Sequence, residues 1–269
     1  MNRILERFTK TGSAVINKDT SIIIGGILLG RIIYILFTFM IAKIYSPSDF
    51  GILGVFLSLS AILSSMVVLG FDQALPIPKE PEEVGGIIIL GIISTFIITA
   101  IIYVIFGTFS PFLGKISFYN KDLSKYIAVK SYIHLLLLNV IIMALFGIYN
   151  NIAIREKKFK IIGLVGIVVS LFMGLIQLIS GLIGFNVRGL MIGVIAGRFI
   201  GILLMANLAF LYLNFKKVDV FILLKKYYKF PLIVSTSNLI NSLGTNIVIL
   251  MVNMIFGPQL TGFFLWHKG

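Results

Sequence analysis

Apolar residues run almost unbroken through seven stretches of the chain, at about 21–44, 50–71, 84–109, 126–152, 161–184, 189–214 and 231–256, and polar residues collect between them. Each stretch is long enough to carry a helix across a hydrocarbon core, which takes about 20 residues. The stretches are apolar on every face. They therefore favour helices strongly over an outer-membrane barrel, whose strands alternate over segments of about ten residues. An eighth run begins near Leu260 and reaches Gly269 within ten residues. The fold class expected from this pattern is all-α, a polytopic transmembrane helical bundle.

Composition removes the soluble alternatives. Of 269 residues, 58% are hydrophobic and 12% charged, whereas soluble domains average about 45–50% apolar and about 25% charged. At roughly 30 to 35 residues for a span and its connection, this length holds six to eight spans and no folded extramembrane domain. Residues 1–20 are polar and carry Arg3, Arg7, Lys10 and Lys18. The run after them is interrupted by Arg31 and has no small-residue cleavage site, so it reads as a retained span and not as a signal peptide.

The net charge of +13, from 23 Lys and Arg against 10 Asp and Glu, would suggest nucleic acid in a soluble protein. Here it sorts by topology. Fourteen Lys and Arg fall on the side of the N-terminus and five on the other, which places the N-terminus in the cytoplasm by the positive-inside rule. These cations are expected to meet anionic membrane lipids, with no nucleic-acid partner. The absence of cysteine removes disulfides and thiol chemistry. Two histidines without ligand spacing give a metal centre little support. No phosphate-cradling glycine loop is present, so ATP hydrolysis is not expected. The short loops lack the reactive groups of a membrane glycosyltransferase, and neither enzyme activity nor a cofactor is expected.

Residues 216–230 alternate lysines with Val218, Val220, Phe221, Ile222, Leu223 and Leu224 and end before Pro231. This composition suits a helix lying in the membrane interface, with Pro231 opening the next span. The expected organisation is a six-helix transmembrane lobe at 1–215, an amphipathic linker at 216–230, and the first helix and stub of a second lobe at 231–269. A weak internal repeat supports it. An offset of 211 residues aligns Met40 with Met251, Ile44 with Ile255, Pro47 with Pro258 and Gly51 with Gly262, and it falls where a second bundle should begin.

The stretch Gly25 to Pro76, with its junction Ala42-Lys43-Ile44-Tyr45-Ser46-Pro47-Ser48-Asp49-Phe50-Gly51, resembles the polysaccharide flippases of the multidrug/oligosaccharidyl-lipid/polysaccharide exporter superfamily. So do the connector Asn151 to Lys160 and the seventh span running into Phe256-Gly257-Pro258. The resemblance implies two six-helix lobes related by an axis along the membrane normal, around a cavity open to one side at a time. It implies alternating-access flipping of a lipid-linked oligosaccharide, a polyprenyl-diphosphate sugar, across the plasma membrane for cell-surface polysaccharide biosynthesis. A polysaccharide polymerase and glycosyltransferases would be its partners. Measured against that family, the ten residues from Leu260 cover about half of a 30 Å core. The chain is thus expected to be a truncated member, since a half-size transporter acting as a dimer should stop near residue 215.

Candidate site residues follow from polar groups at membrane depth. Arg31 stands ten residues into the first run and Arg198 nine into the sixth, each about 14–15 Å from its membrane face. An arginine there needs a cavity or a partner, and no span interior offers an Asp or Glu. One reading makes both contacts to a substrate diphosphate, and the other has them bond backbone carbonyls or snorkel. Asn238, Asn241 and Thr245 form a polar face on the seventh run with Ser242, suited to sugar hydroxyls or to hydrogen bonds between helices. His134, one turn below Lys130, is a candidate for proton coupling or a packed, hydrogen-bonded residue. Glycines every four residues at Gly189, Gly193, Gly197 and Gly201, and at Gly26 and Gly30, predict close helix packing. Glu82 and Glu83 read as helix N-terminal caps.

Two rival functions remain open. A multidrug cation exporter of the same superfamily requires a buried carboxylate, which no span interior supplies. A non-transporting membrane subunit of a polysaccharide assembly complex would tolerate neutral residues at Arg31 and Arg198.

Overall fold

The structure, a computed structural model, describes residues 18–117, 128–213 and 220–268. Residues 216–219 of the expected linker, like most of the basic N-terminal segment, lie outside the described residues. Among the described residues the chain is helical, without strands: α1 (Lys18–Ile41), α2 (Pro47–Val67), the short α3 (Phe71–Ala74), α4 (Pro81–Ser117), α5 (Ala128–Arg155), α6 (Phe159–Leu182), α7 (Asn186–Leu213), the short α8 (Val220–Lys226), a π-helical turn (Phe230–Val234) and α9 (Ser235–Lys268). Seven of these helices are long and apolar enough to cross a membrane. The protein is an all-α, multi-pass membrane bundle.

Local chemistry sets the helix boundaries. At the start of α2 the Asp49 N–H donates to Ser46 Oγ (3.3 Å), while the Ser46 N–H donates to Asp49 Oδ2 (2.9 Å). This reciprocal capping box, with Pro47 where a missing N–H costs nothing, begins the helix three residues before its apolar run. Pro231 likewise sits in the first turn of the π-helical segment that leads into α9. Within α9 the backbone breaks at Gly257 (φ 80°, ψ 174°), immediately before Pro258. Thr261 Oγ1 closes the break by donating to the Gly257 carbonyl (2.8 Å) and accepting from Asn253 Nδ2 (3.2 Å).

Lipid tails are as apolar as leucine, so helix association in a membrane depends on close packing. Gly26 and Gly30 of α1 lie directly on the backbone at Gly163 and Gly166 of α6. Gly193, Gly197 and Gly201 let α7 close on α6 at Gln177, Met173 and Val169. Two apolar clusters fill the bundle. One joins Phe71 and Leu75 to Val84, Ile87 and Ile88 of α4, Ile148 and Ile152 of α5, Met205 of α7 and Leu223 of α8. The other joins Ile41, Leu53 and Phe56 to Leu136 and Leu137 of α5 and Leu190 and Met191 of α7.

The helix α8 is tied to the start of α4. Lys226 Nζ pairs with Glu83 Oε1, the Tyr227 hydroxyl donates to Glu83 Oε2 (3.1 Å), and Leu223 and Tyr227 are buried while Phe221 and Ile222 stay exposed. Glu83 thus holds a lysine as well as standing at a helix N-terminus.

α9 packs along α2 and leaves most of its remaining surface exposed. The two proline turns meet in this contact. A β-carbon on Gly51 would overlap the Pro258 carbonyl, and one on Gly262 would overlap the Pro47 carbonyl. Shifting either pair by 211 residues yields the other pair with its members exchanged, which is the mark of an approximate two-fold relation.

Candidate functional site

The sixth long helix carries Arg198 into the bundle. Its Nη1 donates to Asn139 Oδ1 of α5 at 3.0 Å, so an amide supplies the partner that no carboxylate in the spans provides. Asn139 is fully buried and its Nδ2 has no hydrogen-bond partner among the described residues. Tyr34 of α1 donates its hydroxyl proton to Gln177 Oε1 (3.3 Å). Gln177, itself fully buried, donates from Nε2 to the Leu190 carbonyl (2.9 Å) and accepts the Tyr45 hydroxyl on its own carbonyl (2.8 Å). These residues link α1, α5, α6 and α7 by polar contacts through an otherwise apolar interior.

Arg31 has different surroundings. α1 turns its glycine face to α6, which leaves Arg31 exposed and without a hydrogen bond or ion pair to any described residue. One arginine points into the bundle and the other away from it. His134 is exposed on α5 with its ring 5.8 Å from that of Tyr103.

The polar residues of α9 divide. Asn238 faces α3, where its Oδ1 accepts from Gln73 Nε2 (3.3 Å). Asn241 is exposed in a shallow depression with Leu232, Ile233 and Thr236. Thr245 is exposed too, and its hydroxyl donates back to the carbonyls of Asn241 (3.0 Å) and Ser242 (3.1 Å). Asn246 Nδ2 similarly donates to the Ser242 carbonyl (2.9 Å).

Where Asn238 meets the bundle there is a cavity of about 190 Å³, lined by Ser64 and Ser65 of α2, Val68 just after it, Asp72 of α3, Met143, Ala144 and Gly147 of α5, and Asn238. The Ser64 hydroxyl donates to the Ala61 carbonyl (3.1 Å) and the Ser65 hydroxyl to the Ile62 carbonyl (2.7 Å). Both serine oxygens are thereby left to act as acceptors toward the cavity. Burial pushes the Asp72 carboxyl above the usual carboxylate range, against smaller opposing hydrogen bonds from the backbone of Gln73 and of Asp72 itself. Arg155, at the end of α5, is engaged elsewhere: it donates to the Leu75 carbonyl (2.8 Å) and to the Tyr212 hydroxyl (3.3 Å). Tyr212 in turn donates to Glu156.

Compared with known proteins, residues 40–266 match a family model described as polysaccharide biosynthesis protein. The chain belongs to that family. No curated protein and no solved structure matches it. The family match covers the proline turns, the Arg155 connector and α9 together, and with seven membrane-length helices it supports a polysaccharide-related membrane transporter.

Three residues of this region are not marked by depth or spacing in the sequence: Asp72, Asn139 and Gln177. The apolar positions Val67, Val68, Phe71, Ala74 and Leu75 around Asp72 were the available signal that its segment is packed and not a solvated loop.

Proposed function

We propose that this protein flips a lipid-linked oligosaccharide, a polyprenyl-diphosphate sugar, across the plasma membrane by alternating access. In this reading residues 1–215 form one lobe, 216–230 a linker at the cytoplasmic interface, and 231–269 belong to a second lobe, with the N-terminus in the cytoplasm. The reciprocal packing of Gly51 on Pro258 and Gly262 on Pro47 carries the proposal. It pairs two equivalent helix turns about an approximate two-fold, the arrangement from which two lobes can rock around a shared path. Arg31, exposed at membrane depth and without a hydrogen bond or ion pair among the described residues, is a cation available to a diphosphate. Arg198 acts with Asn139 as an internal polar support. Asn238 offers an amide at the junction of α9 with the bundle.

Asp72 favours the rival of multidrug cation export, which calls for a buried carboxylate. Its cavity of about 190 Å³ is smaller than the roughly 300–1,000 Å³ of pockets for drug-sized ligands, and the family description favours a polysaccharide substrate. The test is reconstitution of the protein in liposomes holding a fluorescent polyprenyl-diphosphate sugar in one leaflet. Protein-dependent translocation that falls with Arg31→Ala supports the proposal. Transport of an organic cation, with no movement of the sugar lipid, replaces it.

A further inference from the structure

We propose that the cavity formed by Asp72, Ser64, Ser65 and Asn238 is a binding site for a sodium ion. Its polar lining offers a carboxylate, two hydroxyl oxygens and an amide oxygen. Asp72 contributes a carboxylate, and both serine hydroxyls spend their protons on helix carbonyls and present lone pairs. Asn238 contributes an amide oxygen already accepting from Gln73. A methyl on Gly147 would come to 3.7 Å from Asp72 Oδ2, so the absent side chain at that position leaves the carboxylate room to face the cavity.

Among the described residues the surrounding elements supply no cation to Asp72. On α5 the nearest base in sequence, Arg155, is bonded to Leu75 and Tyr212. On α4 the ionisable groups at the near end are Glu82 and Glu83, and Glu83 is paired with Lys226. The π-helical turn contains no charged residue, and Lys229 before it is exposed. Lys79 and Glu80, between α3 and α4, are exposed as well. A half-buried carboxylate without a counterion is costly, and an ion with a single charge neutralises it. Calcium demands six to eight oxygen ligands and usually several carboxylates, which one aspartate does not meet. A cavity of about 190 Å³ leaves space for water to complete a sodium shell and little for an organic cation.

The site draws ligands from α2 and α3 on one side and from α9 on the other. Sodium would therefore fix α9 against the bundle, and its release would loosen that contact. A coupling role in transport rests on the function proposed above, whereas ion binding does not. The experiment is equilibrium binding of radioactive sodium to the purified full chain in lipid nanodiscs at pH 8.5, with choline as the background cation. The expected result is saturable binding of a single ion, lost in Asp72→Asn, weakened about tenfold in Ser65→Ala and unchanged in Glu82→Gln. Absence of saturable binding to the unaltered chain, or binding that survives Asp72→Asn, overturns the proposal. If Asp72→Asn cannot be recovered folded, unchanged affinity in both Ser65→Ala and Asn238→Ala overturns it equally. Sodium binding without sugar-lipid translocation leaves this site standing and removes the transport reading.

Discussion

Gly51 and Gly262 stand in equivalent places: each lies against the carbonyl of the proline that opens the other's helix segment. The spacing of 211 residues that aligns them in sequence is thus also a relation in space. Replacing either glycine by alanine forces the same backbone apart. Each single variant is expected to lose about 1–3 kcal/mol of stability through overpacking. The double variant should lose less than the sum, because both methyls strain one contact. Thermal unfolding in detergent measures this. Gly244→Ala on the open side of α9, where a β-carbon meets nothing within 4 Å, should be neutral or slightly stabilising.

Gln177 is predicted to be the costliest polar residue to remove from the bundle. Gln177→Leu leaves the Leu190 carbonyl without its donor and the Tyr34 hydroxyl without its acceptor. The expected loss is about 1–3 kcal/mol for each group left unsatisfied. Thermal unfolding of this variant beside Gln177→Glu, which keeps the acceptor and loses the donor, separates the two bonds.

Asp72 gives the fold a pH dependence of defined sign. Its carboxyl is pushed above the ordinary value by burial, so the folded chain favours the protonated acid. That contribution is fully present below the unfolded value of about 3.9 and is lost as pH rises through the raised folded value. In sodium-free buffer at pH 7, Asp72→Asn is therefore expected to melt at a higher temperature than the unaltered chain. The advantage should shrink as pH approaches 4. Melting curves between pH 4 and pH 8 decide it; an advantage independent of pH would contradict the assignment.

The orientation can be read chemically because the chain contains no cysteine. Lys160 stands at the start of α6 and Arg188 at the start of α7, one membrane crossing apart. With the N-terminus cytoplasmic, Arg188→Cys in intact cells should react with a membrane-impermeant maleimide and Lys160→Cys should react only after permeabilisation. The reverse pattern would invert the topology.

Span positions were legible because each is a run of apolar residues whose length the bilayer dictates. The proline turn at Ser46–Asp49 was legible as local chemistry. Depth along a helix could also be read, which is why Arg31 and Arg198 were singled out together. Their directions could not, since helices that are apolar all round carry no periodic signal for the face that turns inward. Asn139 lies 59 positions from Arg198 in such a run, so nothing local announces the pair. The burial of Asp72 depends on α5 and α9, which enter the chain far downstream. The polar face of α9 was legible as a pattern, yet Asn238 alone of Asn238, Asn241 and Thr245 meets the cavity, because α2 covers only part of that helix.

The most direct test of the central claim is the translocation rate of a fluorescent polyprenyl-diphosphate sugar in proteoliposomes containing the protein. The account predicts protein-dependent flipping that falls sharply in Arg31→Ala. Flipping no faster than in protein-free liposomes would contradict it.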